Sequence, residues 1–416
     1  MSTAGPTSSR PPGDAAPGDA AGDAAGDAAP GDAAAATVTA STVTAGRSLR
    51  VAVTLEQCWQ RVPGGTATSI LGLVGALAAR PDVDLVGVSA RHATSPSRAF
   101  RPPATVPVHQ LPLPTLALYE GWHAVRRPHV ERATGPVDVV HGTAIAVPPT
   151  AAPLVMTVHD LAFLAEPDHA TRHGNRFFRR GTDLARRHAH LVLVPSRATN
   201  DECVAAGFEP DRLRVVPWGV EAAPVSAEQV DRARATLGLD RPFVLFVGTV
   251  EPRKNLAAVI DAMQTVAGRG VDLVLVGPDG WNEDLDGKLR RLDGTDVRVH
   301  RLGFVAPCDL PVLYAACAAF CYPSLREGFG MPVLEAMAQG AAVVTSRGTA
   351  TEEVAADAGV VVDPRDHDAI GAALVELLED RERAAELGAR ARTRAATYTW
   401  ARTAELTVGA YREAAG

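Results

Sequence analysis

The chain has 416 residues and a formal charge of -7 at pH 7, and it is 46% hydrophobic and 21% charged. That length exceeds one ordinary domain, the balance is globular, and the lack of a basic stripe excludes nucleic acid as a partner. Five cysteines (Cys58, Cys203, Cys308, Cys317, Cys321), odd in number and without a CxxC pair, exclude a disulfide scaffold and fit a reduced, cytoplasmic protein.

Residues 1–47 read as a low-complexity tail in which GDAA recurs from Gly13, Gly18, Gly22, Gly26 and Gly31. It has almost nothing to bury, so it is expected to be disordered. It has neither the basic start nor the apolar core of a signal peptide, and no later run of about 18 apolar residues is available to span a membrane.

From residue 48 onward, short β-branched runs alternate with helical patterns. The first series is RVAVTL (50–55), DLVGVS (84–89), VDVVH (137–141), PLVMTV (153–158), HLVLVP (190–195) and RLRVVP (212–217), expected to fill a domain over 48–221. After a linker at 222–240, itself helical from Ser226 to Leu237, a second series occupies 241–390. Its strands are PFVLFVG (242–248), VDLVLVG (271–277), VRVHRLG (297–303), AAFCYP (318–323) and AAVVTS (341–346). The runs are apolar on both faces, as strands inside parallel sheets are, with helices such as 255–268 and 367–379 between them. Two doubly wound, Rossmann-like α/β domains facing across a cleft are predicted. The segment 391–416 is helical with no strand partner left, and is expected to lie back across the N-terminal domain.

Ligands of open parallel sheets bind beyond the carboxyl ends of the strands. Gly64 and Gly65 follow the first strand and open the helix SILGLVGALAAR; they would admit a phosphate closely, or form a plain turn. They are no GxGxxG, which disfavours a dinucleotide. His159 and Asp160 follow PLVMTV, where the histidine either reaches the cleft or is structural. Ser196 and Arg197 follow HLVLVP, EPRKN (251–255) follows PFVLFVG, GPDGW (277–281) follows VDLVLV, and REGFG (326–330) follows AAFCYP. Arg253 and Lys254 sit before a helix N-terminus, which makes either a diphosphate site that needs no metal or an ordinary basic cap. Glycine costs about 1 kcal/mol and proline about 3 inside a helix, so the helix after REGFG is expected to start near Pro332. Glu327 then lies in a loop and Glu335 in the first turn. Ionised carboxylates only accept hydrogen bonds, so both suit sugar hydroxyls, or else they are surface charge. Arg172, Arg176, Arg179, Arg180 and Arg187 recur at helical spacing; the stripe is either a peripheral contact with anionic lipid headgroups or a solvated face interrupted by Asp183.

EPRKN after a VGTV strand, and EGFGMPVLEA with its E-x7-E spacing, resemble the donor-site motifs of family 4 retaining glycosyltransferases of the GT-B fold. The resemblance covers roughly residues 50–400, with GGT, TVHD, VPSR, VVPWGV and GPDGW in the expected order. It implies a nucleotide-diphosphate sugar held by the C-terminal domain, an acceptor held by the N-terminal one, and transfer with retention. Arg253 and Lys254 would bind the diphosphate and stabilise the leaving charge, and Glu327 would contact the donor hexose beside the amides of Phe329, Gly330 and Met331. Glu335 would hold the ribose, His159 would sit near the transferred sugar, and Gly64 and Gly65 would face the phosphates. No general base is implied, since a front-face route lets the leaving phosphate help deprotonate the acceptor. No cofactor or metal is expected. The motif set looks most like bacterial mannosyltransferases using GDP-mannose on polysaccharide or lipid-linked acceptors, placed in the cytoplasm or peripherally on the inner membrane face. Arg326 stands where the motif often carries an aromatic residue. Alternatives on the same scaffold are a nucleotide-sugar epimerase, a sugar phosphorylase, or a non-catalytic nucleotide-sugar-binding protein.

Overall fold

The computed structural model describes residues 47–60, 64–165, 172–278, 280, 284–306 and 308–416. The readings made of the GDAA tail, and of Asp279 and Trp281 in GPDGW, lie outside the described residues. The apolar runs close into two parallel sheets. The first holds β1 (Leu49–Thr54), β2 (Val83–Ser89), β3 (Val108–Gln110), β4 (Val139–Gly142), β5 (Leu154–Thr157), β6 (Leu191–Val194) and β7 (Leu213–Val215) in the order β3-β2-β1-β4-β5-β6-β7. The second holds β8 (Phe243–Val247), β9 (Asp272–Val276), β10 (Val299–Gly303), β11 (Ala319–Tyr322), β12 (Val343–Ser346) and β13 (Val360–Val362) in the order β10-β9-β8-β11-β12-β13. This is the expected α/β architecture of two doubly wound lobes. Every residue of β4, β5, β6, β8, β9, β11 and β12 is buried, which is why these segments read as unbroken apolar runs. The sequence reading missed β3 and β13. Each is three residues long, below the usual strand run, and β3 lies at a sheet edge with two of its three residues exposed.

The helices that bear on the site are α1 (Gly64–Ala78), α2 (Arg172–His188), α3 (Arg197–Ala205), α4 (Ala227–Leu237), α5 (Leu256–Thr265), α6 (Met331–Ala338), α7 (Ala350–Ala355), α8 (His367–Glu379), α9 (Arg381–Ala395) and α10 (Trp400–Ala415). Helix α4 starts on a Ser226–Gln229 capping box and stops at Gly238 in the left-handed region (φ 67°). The C-terminal segment is two helices, because Ala396–Thr399 leave the helical path and the Thr399 side chain caps the Arg402 N–H.

Helix α9 packs on α6 of the second lobe, whereas α10 returns to α1, β4, β5 and β6 of the first. Its anchor is polar. The Tyr411 hydroxyl lies 2.7 Å from His141 Nδ1, and His141 Nε2 lies 2.7 Å from Thr157 Oγ1. Burial pushes the His141 imidazole down to about 3, so it is neutral and both ring nitrogens are partnered. The chain thus crosses between lobes twice, and the crossings touch: Val220 N–H donates to Tyr398 O at 3.0 Å, and a Cβ on Gly219 would meet the Trp400 nitrogen at 2.1 Å. Among the described residues no helix is long and apolar enough to cross a membrane.

Candidate functional site

In the second sheet, successive connections leave in opposite directions at β8 and β11, which are neighbours. A crevice forms at such a point beyond the strand ends. EPRKN follows β8 and SLREGFG follows β11, so the fold joins two segments some seventy residues apart in the chain. Pro252–Lys254 make one 3-10 turn and Asn255 takes the left-handed conformation (φ 57°), its side-chain amide donating to Pro323 O and Pro364 O. Lys254 Nζ then lies 2.5 Å from Glu327 Oε1, and Arg253 Nη1 lies 3.3 Å from Glu327 Oε2. Arg253 Nη2 is 2.8 Å from Glu251 Oε1. The Tyr322 and Ser324 hydroxyls also donate to Glu327 Oε1, at 2.9 and 2.8 Å. The Glu327 side chain is only 8% exposed, so these partners decide its charge.

Burial raises the Glu327 carboxyl, but Lys254 and then Arg253 overcome that and hold it at about 2. The pair is not symmetrical. Burial and the neighbouring Arg253 charge lower the Lys254 ammonium, against Glu327 and Glu251, because two cations share the carboxylate. Arg253 also lies in the field of Asp160 from the first lobe. Two cations stand ready for an anion here, each already matched by a carboxylate. Sequence reasoning found Arg253, Lys254 and Glu327; it missed Glu251, Tyr322 and Ser324, although Glu251 is the first letter of EPRKN.

The arch continues to α6, which starts at Met331, one residue before the expected Pro332, because Gly330 (φ +99°) turns the chain in the left-handed region. Phe329, Gly330 and Met331 are buried at this helix start, where N–H groups have no carbonyl one turn back. Glu335 falls in the second turn, not the first. Tyr314 donates to Glu335 Oε2 at 2.9 Å, yet burial raises that carboxyl to about 7. A raised carboxyl favours the folded state while protonated, so its effect is a stability that falls as pH rises from about 4.5 to about 7. Glu335→Gln is therefore expected to raise the melting temperature at pH 8 and leave it unchanged near pH 4.5; equal shifts at both would contradict the buried-carboxyl account. Beside this site a cavity of about 200 Å³ opens at the ends of β8, β9 and β10, lined by Phe246, Val250, Leu275, Gly277 and Arg301 among others.

The corresponding point of the first sheet lies between β1 and β4. Thr143, just past β4, bonds Thr54 at the end of β1, and its carbonyl accepts His159 Nε2–H at 2.7 Å. A carbonyl only accepts, so Nε2 carries the proton, and burial lowers the imidazole's basicity. His159 Nδ1 is then a buried lone pair with no protein partner among the described residues, free to accept a hydroxyl. Trp218, within VVPWGV, stands with its ring 5.2 Å from both His159 and Phe329. Gly64 (φ +62°) and Gly65 open α1, and among the described residues no atom outside their chain neighbours and the helix's own backbone lies within 4 Å of where their Cβ atoms would be. The structure thus brings His159 to the EGFG arch, while Gly64 and Gly65 stand at a helix start with no other described element against them.

Helix α3 of the first lobe meets the second directly. Ser196 and Thr199 donate to Gly328 O, and the Glu353 carboxylate accepts the N–H groups of Arg197 and Ala198 at 3.0 and 2.6 Å. Arg326 pairs with Glu202 at 2.6 Å, so the residue at the motif's usual aromatic position bridges the lobes. On α2, Arg176, Arg179 and Arg187 are exposed, whereas Arg180 is partly buried near His123, which burial and then Arg180 lower to about 4. The Arg172 side chain lies outside the described residues, so the described stripe is narrower than its spacing suggests.

Two family models match the chain in sequence order: Glycosyltransferase Family 4 over residues 63–223 and Glycosyl transferases group 1 over residues 228–394. The O-antigen chain mannosyltransferase B of Escherichia coli is 30% identical over 281 residues, spanning 66% of this chain and 74% of that protein. The D-inositol 3-phosphate glycosyltransferase of Acidothermus cellulolyticus is 31% identical over 388 residues, spanning 84% and 86%. Among solved structures, Anabaena HepE in complex with UDP and glucose matches with a TM-score of 0.70 at 21% identity, covering 88% of this chain and 100% of that one, a likeness of fold.

Proposed function

Because this chain belongs to the family 4 glycosyltransferases, with their GT-B fold, we propose that it moves a hexose from a nucleotide-diphosphate sugar to a hydroxyl of a polysaccharide or lipid-linked acceptor, with retention. The observation that carries the reading is the buried group Arg253, Lys254 and Glu327 at the β8/β11 crevice, capped by the start of α6. A diphosphate entering there shares both cations. As the glycosyl bond breaks, negative charge grows on the leaving phosphate, where preorganised cations and amides in a dry site lower the barrier most. Glu327, relieved of part of its pairing, accepts hydroxyls of the hexose, and Glu335 accepts those of the ribose. His159 Nδ1 accepts a sugar hydroxyl from the other side. We assign no enzyme base: the departing phosphate takes the acceptor's proton. Arg253, Lys254 and the N–H groups at the start of α6 are the groups that meet the leaving charge in this reading, and no metal is invoked.

Mannose from GDP-mannose is the favoured donor. Its support is the mannosyltransferase relative and the combination of EPRKN, GPDGW and TVHD. The exposed Arg176, Arg179 and Arg187 support a peripheral contact with anionic headgroups on the cytoplasmic membrane face, which would bring a lipid-linked acceptor within reach. A thermal-shift series with GDP, UDP, ADP and TDP and their hexose conjugates, without metal, tests the donor. A ligand at a hundred times its Kd adds about 2.7 kcal/mol to stability. The GDP series is expected to raise Tm, and Lys254→Ala to remove the effect. A response to UDP alone would replace the donor; no response to any of them would overturn the reading.

A further inference from the structure

VPSR is a strand-end motif that the donor reading leaves without a task. Ser196 and Thr199 are 3% and 1% exposed, yet both direct their hydroxyls out of their own lobe. Ser196 Oγ donates to Gly328 O at 2.7 Å and Thr199 Oγ1 to the same oxygen at 3.0 Å. A carbonyl oxygen has two lone pairs, so this one is saturated and its direction fixed. The Ser196 oxygen is itself fixed, since it accepts the Thr199 N–H at 3.0 Å as the cap of α3.

A peptide unit is planar and trans, so its C=O and the next N–H point in opposite directions. Holding the Gly328 carbonyl against α3 therefore aims the Phe329 N–H away from α3. The residues on either side of this peptide are Glu327, bound to Lys254, and Gly330, which turns the chain into α6. We propose that Ser196 and Thr199 are positioning residues for transfer: by holding the Gly328 carbonyl they set the Phe329 N–H and the start of α6 toward the donor, so that the first lobe completes the second lobe's donor site. The Glu353 contact with the first amides of α3 and the Arg326–Glu202 pair keep the two lobes in the register this requires. The inference rests on the donor reading above. It goes beyond it by making donor activation depend on residues of the lobe assigned to the acceptor.

The test uses the full chain. Thr199→Val keeps the shape and loses the donor; Ser196→Gly loses the hydroxyl where glycine is tolerated as a cap. The double variant is expected to lose about tenfold to a hundredfold in kcat, the effect of a misaimed transition-state donor, while nucleoside diphosphate affinity and donor KM stay within about threefold. Thr199→Ser, which retains the hydroxyl, is expected to restore wild-type kcat. Amide hydrogen exchange across residues 325–331 is expected to quicken in the double variant. Unchanged kcat, or parallel loss of kcat, nucleotide affinity and Tm, would overturn the positioning role. Failure of the donor reading is separately visible as a wild-type protein that neither binds a nucleoside diphosphate nor transfers sugar. Even then the exchange arm decides: faster exchange supports the coupling of α3 to the arch, and unchanged exchange overturns it.

Discussion

Replacing Lys254 by alanine is expected to cut sugar transfer by about 10²–10³-fold, the usual effect of removing one preorganised group that meets developing charge. Stability should fall at the same time. Lys254 and Glu327 are nearly buried partners, 2.5 Å apart, so removing the cation leaves a carboxylate that burial penalises and that only one remaining cation, Arg253, and the Ser324 and Tyr322 hydroxyls now hold. Breaking one side of a buried pair costs roughly 3–5 kcal/mol. The double variant Lys254→Ala/Glu327→Gln is expected to recover most of that stability, because no unmatched charge remains, and none of the transfer. Urea melts beside transfer assays check both halves. Wild-type transfer in Lys254→Ala would remove the donor-site assignment, whereas a double variant as unstable as the single would remove the pairing argument. The Glu327 carboxyl, held near 2, adds a pH signature: its contribution is complete above about 4.5 and drains away as pH falls toward 2, and it should vanish in Glu327→Gln.

Gly328→Ala is the second large effect. A Cβ there would lie 1.9 Å from the His159 carbonyl oxygen and 3.0 Å from the Asp160 Cβ. Backbone of the other lobe cannot step aside as a flexible side chain can, so the methyl must push the arch and the HD segment apart. A displacement of about 1 Å at reacting groups costs about a hundredfold, and a loss of at least that size in kcat is expected. Arg253 and Lys254 sit on a different segment, so nucleoside diphosphate binding should largely survive. Calorimetry for binding and steady-state kinetics for transfer separate the two, and undiminished kcat would mean that the lobes do not meet this way during turnover.

What could be read in the sequence follows from where the information resides. The β8 and β11 runs are continuous because both sheet faces are buried, so EPRKN and EGFG were identifiable as strand-end segments, and Pro332 and Gly330 marked the start of α6 within one residue. Glu327 and Lys254 were identifiable as chemistry but not as partners, since nothing in either segment encodes the adjacency of β8 and β11. The Ser196 and Thr199 contacts were hidden for a different reason. Their target is a backbone carbonyl, which leaves no mark on side-chain patterning. The break at Ala396–Thr399 escaped notice because alanine and arginine continue on both sides; only Thr399, a good cap, signalled it. Trp218 carries no such mark, because an aromatic beside a strand end is equally at home in ordinary packing.

The return of α10 to the first lobe bears on how this protein can be recombined with its relatives. A chimera that exchanges residues 48–221 alone would set a foreign residue at position 141 and a foreign β4–β6 surface against the native Tyr411, orphaning its fully buried hydroxyl wherever the incoming residue is not a histidine. The heritable module is discontinuous: the first lobe and the last sixteen-residue helix travel together or not at all. Specificity transplants should therefore carry two junctions, one near Gly219 and one near Thr399, where the crossings already lie side by side.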